Sequence, residues 1–203
     1  MSNWIGGDRF LGQADQIHNA KNVVDYLTSL GWTSEAILGT IVNMANESTV
    51  NPQIWQRITD PTEPQGYGIV QWTPASKLID WCNDRGLDYT DGDSQMLRIN
   101  YEAQNGLQWG ENIMLPDPIM PDLPRVPPIT FDQYTQLTDA VLANKYWLAY
   151  YERPGWAGMV SRYYSAAADV QQWREWLDGY IPGPPSGNIP KLPITMYLRR
   201  RFF

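Results

Sequence analysis

The chain has 203 residues, 43% hydrophobic and 18% charged, a balance that excludes a disordered segment and allows one sizeable core. The formal charge of −7 argues against broad binding to nucleic-acid phosphates, and no apolar run approaches the roughly 20 residues that span a bilayer. One cysteine, Cys82, and one histidine, His18, rule out an internal disulfide and leave little for thiolate metal clusters or imidazole-based triads.

Met1 to Phe10 shows no basic stretch followed by an apolar block, so no secretory leader is expected. From Ile17 to Leu30, apolar residues recur at helical spacing and Gly31 terminates the pattern. A second helix starts at Thr33 or Ser34, carries Ile37, Ile41 and Met44 on one stripe, and ends before Asn51-Pro52. Gln65 to Pro74, "QGYGIVQWTP", alternates and carries two glycines, which predicts a short β-hairpin. Pro74 opens a helix that runs to about Asp84, with Cys82 on its apolar side, and another spans Ser94 to Asn105. Leu107 to Pro128 holds six prolines and reads as a long loop. Helices resume near Phe131, from about Thr138 to Glu152, and from Ala157 to Leu177, the last with Val160, Tyr163, Tyr164, Ala167, Val170, Trp173 and Leu177 inward.

After Ile181 the composition changes to the linker-like "IPGPPSGNIPKLP" and then "ITMYLRRRFF". The expected organisation is a mostly helical domain over 1–180 with a small β element, an α+β class, followed by a tail over 181–203. Met196 to Phe203 mixes large apolar groups with three arginines, a composition suited to docking on a partner protein.

The sharpest chemical feature is Glu47-Ser48. Thr40, Asn43, Met44 and Glu47 share one helix face. A carboxylate at a helix C-terminus opposes the helix dipole, and that field, with apolar neighbours, favours the protonated form that a general acid needs. The second feature is Gly66 to Trp72. Gln71 is placed to bond a sugar hydroxyl or N-acetyl group, while Tyr67 and Trp72 offer flat faces to a sugar ring. The chain's 10 Trp and 12 Tyr against 4 Phe suit such rings, although most of these residues are expected to build the core. Glu152-Arg153 reads first as an ion pair between the last helices, with Tyr151 or Glu152 at a cleft as the other reading.

"AILGTIVNMANESTVNPQIWQ" over Ala36 to Gln56, "GYGIVQWTPASKLIDW" over Gly66 to Trp81 and "AYYERPG" over Ala149 to Gly155 together resemble the phage tail lysozyme family. The Glu-Ser pair and "GIVQ" also resemble the first motifs of goose-type lysozymes and lytic transglycosylases. The resemblance, covering about Lys21 to Trp173, implies a lysozyme-like α+β fold and a virion protein at the phage tail. It implies peptidoglycan as substrate, local opening of the host wall for genome delivery, and other tail proteins as partners. It places the acid at Glu47 and hairpin cleft residues at Tyr67 and Gln71; Ser48 and Trp72 are further substrate-binding candidates, and neither metal nor cofactor is expected. The pattern shows no obvious second carboxylate. Asp60 and Glu63, in the loop before the hairpin, are the candidates. A non-catalytic tail-tip domain and a lytic transglycosylase stay open beside the hydrolase.

Overall fold

A computed structural model describes residues 2–57, 64–110 and 128–181. Its helices are α1 (Gln13–Ser29), α2 (Ser34–Ser48), α3 (Ser76–Asn83), α4 (Gly92–Gln104), α5 (Phe131–Tyr134), α6 (Ala140–Trp147) and α7 (Trp156–Trp176). A π-helical turn, Leu148–Glu152, continues α6. No helix among the described residues is long and apolar enough to cross a membrane. Asp60, Glu63 and the Met196 to Phe203 element lie outside the described residues.

α2 is the hub. Its Thr33 cap accepts from Ala36 N at 3.2 Å, and Ile37, Leu38, Ile41, Val42 and Met44 are buried around the whole circumference. Such all-round burial marks a helix inside a core rather than on its surface. α1, α6 and α7 all pack on it. Gly39 makes the α6 contact possible: a β-carbon there would sit 2.5 Å from Asn144 N and 2.7 Å from Ala143 Cβ. Beside α6 the aromatic residues form one cluster. Trp32, Trp109, Phe131, Tyr134, Trp147 and Tyr150 meet at centroid distances such as 5.4 Å for Trp109–Phe131 and 4.8 Å for Trp109–Tyr134. Much of the Trp and Tyr excess is therefore core.

The expected α+β class is corrected by the structure: the described residues contain no β-strand, sheet or hairpin. Gln65 to Pro74 makes only two isolated antiparallel bridges, Trp55–Tyr67 and Tyr67–Trp72. Tyr67 and Trp72 exchange both backbone hydrogen bonds, at 3.2 and 3.0 Å, around a tight turn in which Gly68 (φ 84°) and Gln71 (φ 52°) are left-handed. The turn's tip plugs inward, with Ile69 and Val70 buried. Pairing cannot extend, because Pro64 and Pro74 bracket the segment and proline has no N–H to add to a ladder. The alternation in the sequence is that of an inserted turn, not of a pleated face.

α2 also ends unusually. Thr49 and Val50 both take left-handed backbone angles, φ 58° and 57°, which are costly for a β-branched residue. Asn51 holds the kink in place by donating to Gly7 O at 2.8 Å and Arg9 O at 2.6 Å. Glu47 therefore sits just before a strained, buried chain reversal.

Candidate active site

Glu47 projects from the last turn of α2 into an open cleft of about 650 Å³. The 54–57 segment, the 70–73 turn and the end of the π-turn border the same space, and Arg162 reaches in from α7. Arg162 Nη1 donates to Glu47 Oε1 in a close ion pair, and Nη2 reaches Asn46 O at 3.5 Å. This cation offsets the unfavourable field at the C-terminus of α2. Both side chains are only partly exposed, 16% for Glu47 and 21% for Arg162, so the pair is more than a surface contact. Arg57, Lys77 and Arg153 also line the cleft, which makes its mouth basic in an acidic chain.

Of the residues expected on the opposite wall, Gln71 and Trp72 line the cleft with Glu47. Gln71 Nε2 donates to Gly68 O at 2.9 Å and Ile54 O at 3.2 Å, which leaves its Oε1 with no donor among the described residues. Trp72 is largely buried, and its indole N–H donates inward to Glu102 Oε2 at 2.9 Å. Tyr67 does not line the cleft. Its ring is buried between Trp55 (4.6 Å) and Tyr89 (5.6 Å), and burial first, then the charges of Tyr89, Asp88 and Asp8, push its hydroxyl up to about 12. It acts as a backing for Trp55, whose ring is 36% exposed on the cleft. Sequence reasoning missed Trp55. It stands inside the quoted Ala36 to Gln56 motif, but only the Tyr67 contact shows which aromatic residue faces out.

Ser48 is fully buried and outside the cleft lining. Its hydroxyl lies within donating distance of Ile69 O (2.8 Å) and Met44 O (3.0 Å) and accepts from Asn51 N (3.2 Å). It latches the end of α2 to the 68–71 turn and so fixes Glu47 relative to Gln71. Ser48→Ala is expected to lower stability by roughly 1–2 kcal/mol, the cost of stranding buried partners. A denaturant melt reads this directly, and an unchanged melt with lost glycan binding would return Ser48 to the substrate side.

Glu152 is not paired with Arg153 among the described residues. It ends the π-turn, lines the cleft, and accepts from Trp147 Nε1 at 2.8 Å. Its carboxyl is held well above the usual carboxylate range, by burial first and by the nearby charge of Glu47 second. The Trp147 hydrogen bond and Arg162 pull the other way. Beneath it, Glu102 is buried, paired with Arg98 at 2.7 Å, and accepts from Trp72 and from Tyr151 OH at 2.8 Å. The two aromatic residues beside the cleft are thereby braced from below.

A largely buried helix, a carboxyl at its open end and a cleft of about 650 Å³ across from a glutamine-bearing turn make up the candidate site. Residues 18–174 match the phage tail lysozyme family, and the chain belongs to it. Morphogenesis protein 1 of Bacillus phage B103 is 38% identical over 148 residues. The match takes in 71% of this chain but 36% of that protein, so the chain spans about a third of the relative's length. Membership places the chain among phage tail proteins.

Proposed function

We propose that the protein is a muramidase-type glycosidase. It cuts the β-1,4 bond between N-acetylmuramic acid and N-acetylglucosamine and opens the wall locally for genome delivery. The observation that carries this reading is the partly buried Glu47 carboxyl standing in an open cleft that also presents the Trp55 ring and the unbonded Gln71 oxygen. A sugar ring stacks on Trp55 while Gln71 accepts from a hydroxyl or amide. Glu47 protonates the glycosidic oxygen as the C–O bond breaks, and the oxocarbenium-like sugar is taken by water. Where the sugar's own C6 hydroxyl attacks instead, the product is an anhydro ring.

Mass spectrometry of fragments from purified peptidoglycan tests the proposal. Reducing N-acetylmuramic acid ends are expected. Anhydro ends replace the hydrolase by a lytic transglycosylase. Binding without any released fragment overturns catalysis and leaves a glycan-binding tail component, the reading that a permanently closed Glu47–Arg162 pair supports.

A further inference from the structure

The cleft is basic in a chain whose formal charge is −7, yet a backbone of N-acetylated sugars carries no charge for it to meet. Arg57, Lys77, Arg153 and Arg162 line the cleft, against the carboxyls of Glu47 and Glu152. Two of these cations are engaged within the fold. Arg162 sits on Glu47, and Arg57 donates to Asp8 O at 2.7 Å with the Asp8 carboxylate at 3.5 Å. Lys77 and Arg153 are exposed, and their side chains make neither a hydrogen bond nor an ion pair among the described residues. They stand on different borders of the cleft. Lys77 lies in the first turn of α3, just beyond the turn that carries Gln71, and Arg153 follows the π-turn. Arg153 also takes a left-handed backbone angle, φ 49°, with its N–H tied to Leu148 O at 2.9 Å. Glycine or asparagine fills such helix-ending positions at less cost. An arginine there brings a charge to the cleft at a backbone cost that glycine would avoid.

We propose that Lys77 and Arg153 select glycan strands that carry their stem peptides, by pairing with the peptide carboxylates at the mouth of the cleft. In the wall polymer the lactyl group of N-acetylmuramic acid is amide-linked to a short peptide, and the free carboxylates of that peptide are the charges nearest the sugars. With the sugars held against Trp55, Gln71 and Glu47, the peptide leaves across the mouth that the two cations border. These are contacts at a wet rim, which add discrimination and speed of encounter more than bulk affinity. They also offset, at close range, the repulsion between a chain of charge −7 and an anionic wall. An uncharged strand of the same sugars gains nothing from them. Neither side chain takes part in bond cleavage, so Lys77 and Arg153 are specificity residues. The proposal rests on the glycosidase reading for the identity of the sugars and adds which strands are taken.

Calorimetry at low salt with a disaccharide-peptide ending in N-acetylmuramic acid tests this, because its one glycosidic bond is not the linkage a muramidase cuts. The comparison compound is the same molecule with every peptide carboxyl converted to the amide. The parent is expected to bind the carboxylate form about tenfold more tightly, what two exposed charge pairs supply, and to lose the preference as salt is raised. Lys77→Gln with Arg153→Gln is expected to bind both forms alike, at the parent's affinity for the amide. Lys77→Gln alone, at an exposed position of α3, should lose about threefold and serves where the double variant does not fold. Equal binding of the two forms by the parent, or a preference that survives in the double variant, overturns the proposal. So does a glycerol phosphate oligomer that binds the parent more tightly than the disaccharide-peptide and is released by the double variant, because the cations then serve wall phosphates. Cleavage of purified peptidoglycan separates the two readings. A preference for carboxylates in a protein that releases no fragment upholds the selection and sinks the glycosidase reading alone; cleavage of native and amidated strands at equal rates, with equal binding, does the reverse.

Discussion

Glu47→Gln is expected to reduce glycan cleavage on the order of a hundredfold or more while the fold survives. Glutamine preserves shape and keeps an oxygen to accept from Arg162, so the α2–α7 contact persists. What is lost is the transferable proton. Circular dichroism checks the fold, and dye release from labelled cell walls checks the activity. A folded variant working within a few-fold of the parent removes Glu47 from the mechanism.

The largest loss of stability is expected from Trp147→Ala. Trp147 is fully buried, stacks on Tyr151 at 4.3 Å, and contacts Tyr134 at 5.6 Å and both Trp32 and Trp109 at 6.4 Å. Truncating a ring held on all sides leaves a cavity that the neighbouring rings cannot close, at a cost of roughly 3–5 kcal/mol. That is a large share of the roughly 5–15 kcal/mol by which domains are usually stable. The same change takes away the donor to Glu152, so its carboxyl should become still harder to ionise. Urea melts at two pH values measure the loss, and a cost under about 1 kcal/mol would mean that the aromatic cluster is not the centre of the core.

Much of the helical frame was legible because its residues obey one rule. The Ile37, Ile41 and Met44 stripe, the Thr33 cap and the Gly31 stop all follow from local periodicity and end chemistry. Failures began where two local patterns share one signature. Alternation from Gly66 to Trp72 fits a hairpin and equally fits a turn driven tip-first into a core. In α7 the inward face expected from helical spacing was only partly right. Val170, Trp173 and Leu177 are buried as expected, but Tyr164 is 65% exposed and Ala167 is exposed, while Met159 and Ala166 are buried. That error hid Arg162, which lies on the α2 side of the same helix. Glu47 was legible as a glutamate misplaced for helix stability. The second carboxyl at its cleft, Glu152, was legible only as the alternative reading of Glu152-Arg153, because an i to i+5 turn leaves no mark in residue type. Asp60 and Glu63 stand as sequence candidates only.

The π-turn makes the cleft depend on a count. Arg153 N bonds Leu148 O at 2.9 Å, five residues back, where an α-helix would close after four. Each residue of an α-helix advances about 100° around the axis. Removing one residue between Leu148 and Tyr151 would restore ordinary closure and swing Glu152 by about 100° relative to α6. Composition, hydropathy and charge would hardly change, yet the carboxyl would face another part of the molecule. Substitutions at these positions alter what the wall of the cleft is made of; a deletion of one residue alters where that wall points.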